Sequence, residues 1–427
     1  MEFHPSFLIV AALLAIGSRI PGVLLGGTLF TYQLGAMSDQ PWLGSAYVGA
    51  ATLIGAIRYM NAPHKLKMQP TDFAAVAIVF LSAMSISWSV DPDSSVNEAL
   101  ALFLSVGGMY GVARLMPQDE GKSIRAMVWT IAIVSPLISV LLLSQRATLG
   151  WAAQHRLLVD GSSATAVGIS QPFASCLLAC SILLLMRIPT WQKIFVFFAF
   201  SVVTYTAIAT GTRSVFLAYG VGLLVFFALR VGSIKPSRLV QGVLAVGIAS
   251  SVFLYFAPLE DLSQSAGRLL GLAVAVGEDE SSLERLGYYN IAWEQFQAHP
   301  LQGYGDGGLL HFAQISYPHN MGLEILSEFG IIGVIVFGFW FLGLFRAAAF
   351  VRARDPETGA ILIAFLAVVL MQHQVSFSVA MARTLFLVGA LLAAYGSSYQ
   401  VAAKRRRLRP KVSYPSKPQR GALRQGA

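Results

Sequence analysis

A chain of 427 residues that is 56% hydrophobic and only 12% charged, with mean hydropathy +0.65, lies outside the range of soluble globular domains, where about a quarter of residues are charged. The net charge of +9 suggests a nucleic-acid partner until it is located. Nine of the 30 basic residues, from Lys404 to Arg424, follow residue 400, and the other 21 are matched by 21 acids, so composition points to a membrane protein with a basic tail and speaks against a basic nucleic-acid-binding surface.

Glu2 stands where a cleaved signal would carry Lys or Arg, so the first apolar segment is expected to be retained. A spanning helix needs about 20 mostly apolar residues. Runs that meet this cover 41–59, 71–90, 96–115, 124–144, 166–187, 191–209, 213–230, 239–257, 322–345, 359–375 and 380–400. The opening stretch 6–36 is interrupted by Ser18 to Gly22, too long for one span and short for two, which gives an all-α polytopic fold of 12 or 13 transmembrane helices over residues 1–400. Cys176 and Cys180 stand four apart in one apolar run, as small packing residues on a helix face.

Lys and Arg accumulate in cytoplasmic loops. With the basic tail 401–427 placed inside and expected to be disordered, alternation puts every Lys on the cytoplasmic side. It leaves Arg146, Arg156, Arg213, Arg268, Arg285 and Arg383 outside, with Arg19 undecided. A guanidinium is a planar fork for phosphate, whereas an ammonium is a point charge, so an arginine-only face suggests phosphate chemistry. The single long hydrophilic interruption, 258–321, falls on that face, and its stretch 282–300 has the apolar spacing of an amphipathic helix at the membrane surface.

The motifs carry unequal weight. GYGDGG at 303–308 satisfies the dinucleotide pattern literally but follows no strand, so it reads as a tight turn, either purely structural or lining a substrate. Asp91 and Asp93 form a D-x-D that reads as a turn before a helix capped by Ser94 or Ser95. Asp306, His311 and His319 match no metal-ligand spacing. Arg213 opens an apolar run almost without a loop to carry it into water, a costly place for a charge and a functional candidate; the bland alternative is an arginine snorkelling to headgroups. Asn320 suits the cap of the helix that follows the long loop. Glu324 and Glu328, one turn apart in that helix, need partners, for which the external arginines are expected. His319 is the external group best suited to exchange a proton near neutral pH.

Three stretches, TGTRS at 210–214, ERLGYYNIAWEQFQAHPLQGYGDGG at 284–308 and PHNMGLEILSEFGIIG at 318–333, together resemble the O-antigen ligase and O-antigen polymerase superfamily of bacterial membrane glycosyltransferases. Order and spacing fit over roughly residues 205–345, and WSVDP with its flanking spans is also similar. Thr212 stands where the family often has Ser, which keeps the hydroxyl. The resemblance implies metal-independent, inverting transfer of a glycan from undecaprenyl pyrophosphate to an acceptor hydroxyl on the periplasmic side of the bacterial inner membrane, with no cofactor and with the C-terminus cytoplasmic. The acceptor would be another carrier-linked repeat unit, for an O-antigen or exopolysaccharide polymerase, or a lipopolysaccharide lipid core, for a ligase; base rate favours the polymerase. Arg213, Arg285 and His319 are the expected catalytic residues, and Arg156, Arg268, Asn320 and Glu324 the expected substrate contacts. Expected partners are the lipid-linked glycan, the acceptor, membrane lipids and other polysaccharide assembly proteins. A transporter or flippase of lipid-linked oligosaccharide is the rival outside enzymology, and a structural subunit of an export complex a third reading.

Overall fold

The computed structural model describes residues 4–40, 42–61, 68–116, 121–146, 166–230, 280–313, 315 and 317–408, and these are helical, with no strand among them. The N-terminal group is α1 (Pro5–Gly17), α2 (Pro21–Gly27), α3 (Thr31–Met37) and α4 (Trp42–Met60). There follow α5 (Pro70–Ser85), α6 (Pro92–Ala101), which runs through a π-turn at Leu102–Gly107 into α7 (Gly108–Leu115), and α8 (Lys122–Arg146). Next come α9 (Ala166–Ser170), α10 (Phe173–Leu185), α11 (Thr190–Ala209) and α12 (Arg213–Arg230). The last group is α13 (Glu280–Ala298), α14 (Gly308–Ala313), α15 (Met321–Arg354), α16 (Pro356–Val375) and α17 (Arg383–Leu408).

The helix starts are written in the sequence. Pro opens α1, α2, α5, α6 and α16, where its missing N–H would have been unpaired anyway. Asp91 caps α6 by accepting from the Ser94 backbone N–H at 3.1 Å, so the cap is Asp91 and not Ser94 or Ser95, which already lie inside the helix that Pro92 opens. Those Ser94 hydrogen bonds hold the Asp91 carboxyl below its ordinary range.

Seven of the described helices are long and apolar enough to cross a membrane: Pro92–Leu115, Lys122–Ser144, Gly168–Leu185, Thr190–Ala209, Arg213–Arg230, Met321–Arg354 and Pro356–Val375. α4 and α17 also occupy expected spans. The run expected over 71–90 yields only the 16-residue α5, because Ser85 to Val90 turn toward the Gly-rich loop. The opening stretch breaks at Ser18, as the sequence suggested, into α1 and then the short α2 and α3, with a 3₁₀ turn at Thr28–Phe30. The expected span 239–257 lies outside the described residues, as do Arg156, Arg268, loop residues 258–279 and the tail from 409. α17 continues to Leu408, past the boundary expected at 400.

α10 is buried along its whole face-to-face circumference, including Cys176 and Cys180, both free thiols, and packs on α8, α11 and α12. α12 lies along α16, where Gly222 leaves no room for a Cβ beside Val368. α15 is flanked by α5, α16 and α17, and Trp340 stacks on Phe386 with ring centroids 4.5 Å apart. The opposite faces are apolar and exposed: Phe73, Val76, Phe80 and Met84 form a stripe on α5 at helical spacing, a surface that only lipid or another apolar phase satisfies. One buried ion pair joins α5 to α7. Asp72, enclosed between α5 and α7, takes Arg114 at 2.7 Å and the Tyr110 hydroxyl at 2.7 Å.

Candidate functional site

α15 is two helices in sequence. At Gly330 the backbone turns to φ 58°, ψ −152°, and the free N–H groups beyond the break are taken by the preceding loop: Ile331 donates to the Pro300 carbonyl and Ile332 to that of Leu301. The GYGDGG turn seats itself on the same break. Tyr304 and Gly305 donate to the carbonyls of Ser327 and Glu328, and Gly303, Gly305 and Gly307 all have positive φ. A Cβ on Gly303 would stand 2.4 Å from the Glu328 carbonyl carbon. Sequence left this turn open between a structural and a substrate-lining role; packing on three helices makes it a structural keystone.

Asp306 lies at its centre. The carboxylate accepts from the Ser82 hydroxyl, its backbone N–H donates to Ser85 Oγ at 3.0 Å, and its carbonyl accepts from Ser95, tying the turn to α5 and α6. Burial pushes its carboxyl up to about 7, with the Glu98 charge adding to the rise and the Ser82 and Glu328 hydrogen bonds opposing it. Glu328 Oε1 accepts the Gly307 N–H at 3.1 Å. Asp306, His311 and His319 are therefore not a set: Asp306 is buried, His311 is exposed beside Asp91, and His319 lies elsewhere against Tyr317.

His319 precedes the α15 cap. Asn320, with extended φ −149°, accepts the Leu323 N–H at 3.0 Å, so its side-chain oxygen caps the helix. One residue earlier, His319 adopts φ 59°, a left-handed conformation uncommon for a side-chain-bearing residue and costly enough that its surroundings must impose it. Its ring packs against Tyr317, centroids 4.7 Å apart, and near Tyr288 of α13 at 6.3 Å. Nδ1 has no hydrogen-bond partner among the described residues, while the Ser376 backbone accepts from the ring. Burial first, then the positive charge of Arg285, pull the His319 pKa below 6.5, with Ser376 and Glu284 pulling the other way.

Arg285, half-buried on α13, is thus brought to His319, as expected. Tyr317, its hydroxyl pushed up to about 12 chiefly by burial, also feels Arg285, Glu324 and Tyr32. Glu324 is buried, and Oε1 accepts the Val379 N–H at 2.9 Å. Glu324 and Glu328 therefore take backbone N–H groups freed by tight turns in place of the arginines expected for them; a buried donor that a turn strips of its helical partner requires an acceptor at the same depth. Arg213, half-buried, opens α12 after Gly211, whose φ of 64° ends α11. α12 packs along α16, the helix that ends just before Ser376. Sequence reasoning passed over Tyr32, Tyr317 and Arg383, which the fold draws into the same region; Arg383 was visible only as one of several outer arginines.

The amphipathic helix exists as α13, but its apolar positions divide. Ala292 is buried and Ile291 and Phe296 partly so, on the side that meets α15, while Leu283, Leu286 and Trp293 are exposed.

A search of curated proteins finds no match. The family model described as O-antigen ligase matches residues 197–338, from the middle of α11 through the Gly330 break, and so takes in Arg213, Arg285, His319, Asn320 and Glu324. Over residues 197–338 the chain is thus similar to the O-antigen ligase family, and that stretch begins and ends in helices long and apolar enough to cross a membrane.

Proposed function

We propose that the protein transfers a glycan from undecaprenyl pyrophosphate to an acceptor hydroxyl on the periplasmic side of a bacterial inner membrane, and that it polymerises O-antigen or exopolysaccharide repeat units. The observation that carries this reading is His319, just before the α15 cap, whose pKa burial and the Arg285 charge lower and whose Nδ1 has no hydrogen-bond partner among the described residues.

The Ser376 backbone holds the proton on one ring nitrogen, which leaves the Nδ1 lone pair as the acceptor. In the proposed step His319 takes the proton of the acceptor hydroxyl while its oxygen attacks the anomeric carbon. The bond from that carbon to the diphosphate oxygen breaks, with inversion, and its electron pair leaves with the diphosphate. Arg213 and Arg285 offset the charge that develops there. Because Nδ1 is shielded from solvent, substrate binding has to open the cover over it. Arg156 and Arg268 remain expected contacts to glycan or phosphate.

Transfer of lipid-linked glycan by purified protein in detergent tests the reading and separates it from transport, since detergent leaves no membrane to transport across. Arg213→Lys, Arg285→Lys and His319→Ala should each lose most turnover, the lysines despite their preserved charge, because a point charge cannot replace the fork. Near-normal turnover in both Arg213→Lys and His319→Ala refutes the site. A ligase attaching glycan to lipid core is the second reading. In a deletion strain, single repeat units on the core indicate a lost polymerase, and long chains left on the carrier a lost ligase.

A further inference from the structure

The connection between α16 and α17 is locked onto the site. Ser376 meets the His319 ring, Val379 donates to Glu324, the Met381 N–H donates to Ser378 Oγ at 3.2 Å, the Ala382 N–H to the Val379 carbonyl at 3.0 Å, and the Arg383 N–H to the Met381 carbonyl at 2.8 Å. Arg383, the first residue of α17, is therefore held at a fixed offset from His319. Across from it stands Tyr32 of α3, whose ring packs on Gly168 and whose phenol couples electrostatically with both Arg383 and Tyr317. Gln33, the next residue, clamps the same wall by donating to the carbonyls of Gly168 and Ile169 at 3.2 and 3.1 Å. The order His319, Tyr317, Tyr32, Arg383 is continuous.

Arg114, near the end of α7, is buried, and Arg383, at the start of α17, is half-buried; the two differ in their partners. Arg114 is neutralised by Asp72, whereas no carboxylate pairs with Arg383 among the described residues. A half-buried guanidinium that no acid neutralises is suited to hold an anion. Arg383 and Tyr32 also lie outside residues 197–338, the stretch that holds Arg213, Arg285 and His319.

We propose that Arg383, together with Tyr32 and Tyr317, contacts the diphosphate of the lipid-linked glycan as a third arginine of the site. The identity of the ligand rests on the glycan-transfer reading; the existence of an anion subsite does not. In this role Arg383 grips the leaving group from the connection that also bonds Glu324, so its loss weakens donor binding more than it slows a bound donor.

The test uses full-length protein in detergent, with undecaprenyl pyrophosphate as the binding probe and lipid-linked glycan as substrate. Arg383→Gln removes a charge-assisted contact worth about 1.5–3 kcal/mol, so Kd for undecaprenyl pyrophosphate should rise about ten-fold or more. Arg383→Lys should recover part of that loss. In turnover the effect should appear in KM for the donor more than in kcat, while Arg352→Gln, an exposed arginine beside the α15 C-terminus, should change neither. Tyr32→Phe, which keeps the ring that packs on Gly168, gives a second measure and should weaken binding in the same direction. Unchanged Kd in both Arg383→Gln and Tyr32→Phe overturns the proposal. So does equal competition by phosphatidylglycerol in mixed micelles, which would assign Arg383 to an ordinary headgroup. Binding that depends on Arg383 in a protein without transferase activity would sink the glycan-transfer reading and leave the subsite standing. Transfer unaffected by Arg383 would do the reverse.

Discussion

Glu328 accepts the backbone N–H of Gly307 at 3.1 Å, joining the broken helix α15 to the Gly-rich turn that folds over it. Next to that contact Asp306 holds a carboxyl raised to about 7 by burial. A folded-state pKa above the unfolded value means that the stabilising contribution is complete below about pH 4 and is lost as pH rises through about 7. Thermal unfolding in detergent should accordingly show Tm falling between pH 5 and pH 8, as rough bounds of that window. Asp306→Asn keeps an acceptor for Ser82 and supplies N–H donors toward Glu328, so it should flatten the slope. A wild-type Tm that rises across this range contradicts the assignment.

His319 predicts a second pH dependence, of catalysis. Transfer requires the neutral ring, so kcat/KM should climb with pH through a midpoint below the ordinary histidine value. Glu284, exposed on α13, pulls that midpoint upward. Glu284→Gln should therefore move the acid limb to lower pH with little change on its plateau. An acid limb that moves to higher pH would show that Glu284 does not act on His319 through charge.

Gly330→Ala should be far more damaging than an ordinary helix substitution. Its φ of 58° is unfavourable for any L side chain, and the added Cβ would lie 2.5 Å from the Leu301 carbonyl oxygen, which is backbone and cannot rotate away. Loss of at least about 2 kcal/mol is expected, read as a drop in Tm or in folded yield. Gly338→Ala, eight residues on in open space on the same helix, should be neutral or mildly stabilising, and serves as the control.

Asp72→Ala removes the carboxylate that the buried Arg114 and the Tyr110 hydroxyl both bond. A loss of about 3–5 kcal/mol is expected, the usual cost of removing one partner of a buried ion pair. Replacing both partners, Asp72→Leu with Arg114→Met, should recover much of it. Equal stability of the single and double variants would show that the pair is not energetically coupled.

Sequence by itself determined that this chain is helical and membrane-embedded, because apolar runs of spanning length and an asymmetric distribution of Lys and Arg are properties of local stretches. It also identified Arg285 and His319 as site candidates through their motifs, and the fold does bring that pair together. The Asn320 cap and the helix start near Pro92 were legible because their signals are local, although the α6 cap fell to Asp91 and not to Ser94 or Ser95. Tertiary structure decided what the buried polar groups bond to. Glu324 and Glu328 were expected to meet arginines, yet each takes a backbone N–H supplied by a turn more than 20 residues away in sequence. Charge complementarity can be listed from composition, but a buried N–H left over by a turn exists only once the chain has folded, and its demand for an acceptor at the same depth is what fixes those carboxylates. Arg383 gained its meaning in the same way: one of several outer arginines in the sequence, it becomes a site residue because the connection that carries it is bonded to α15.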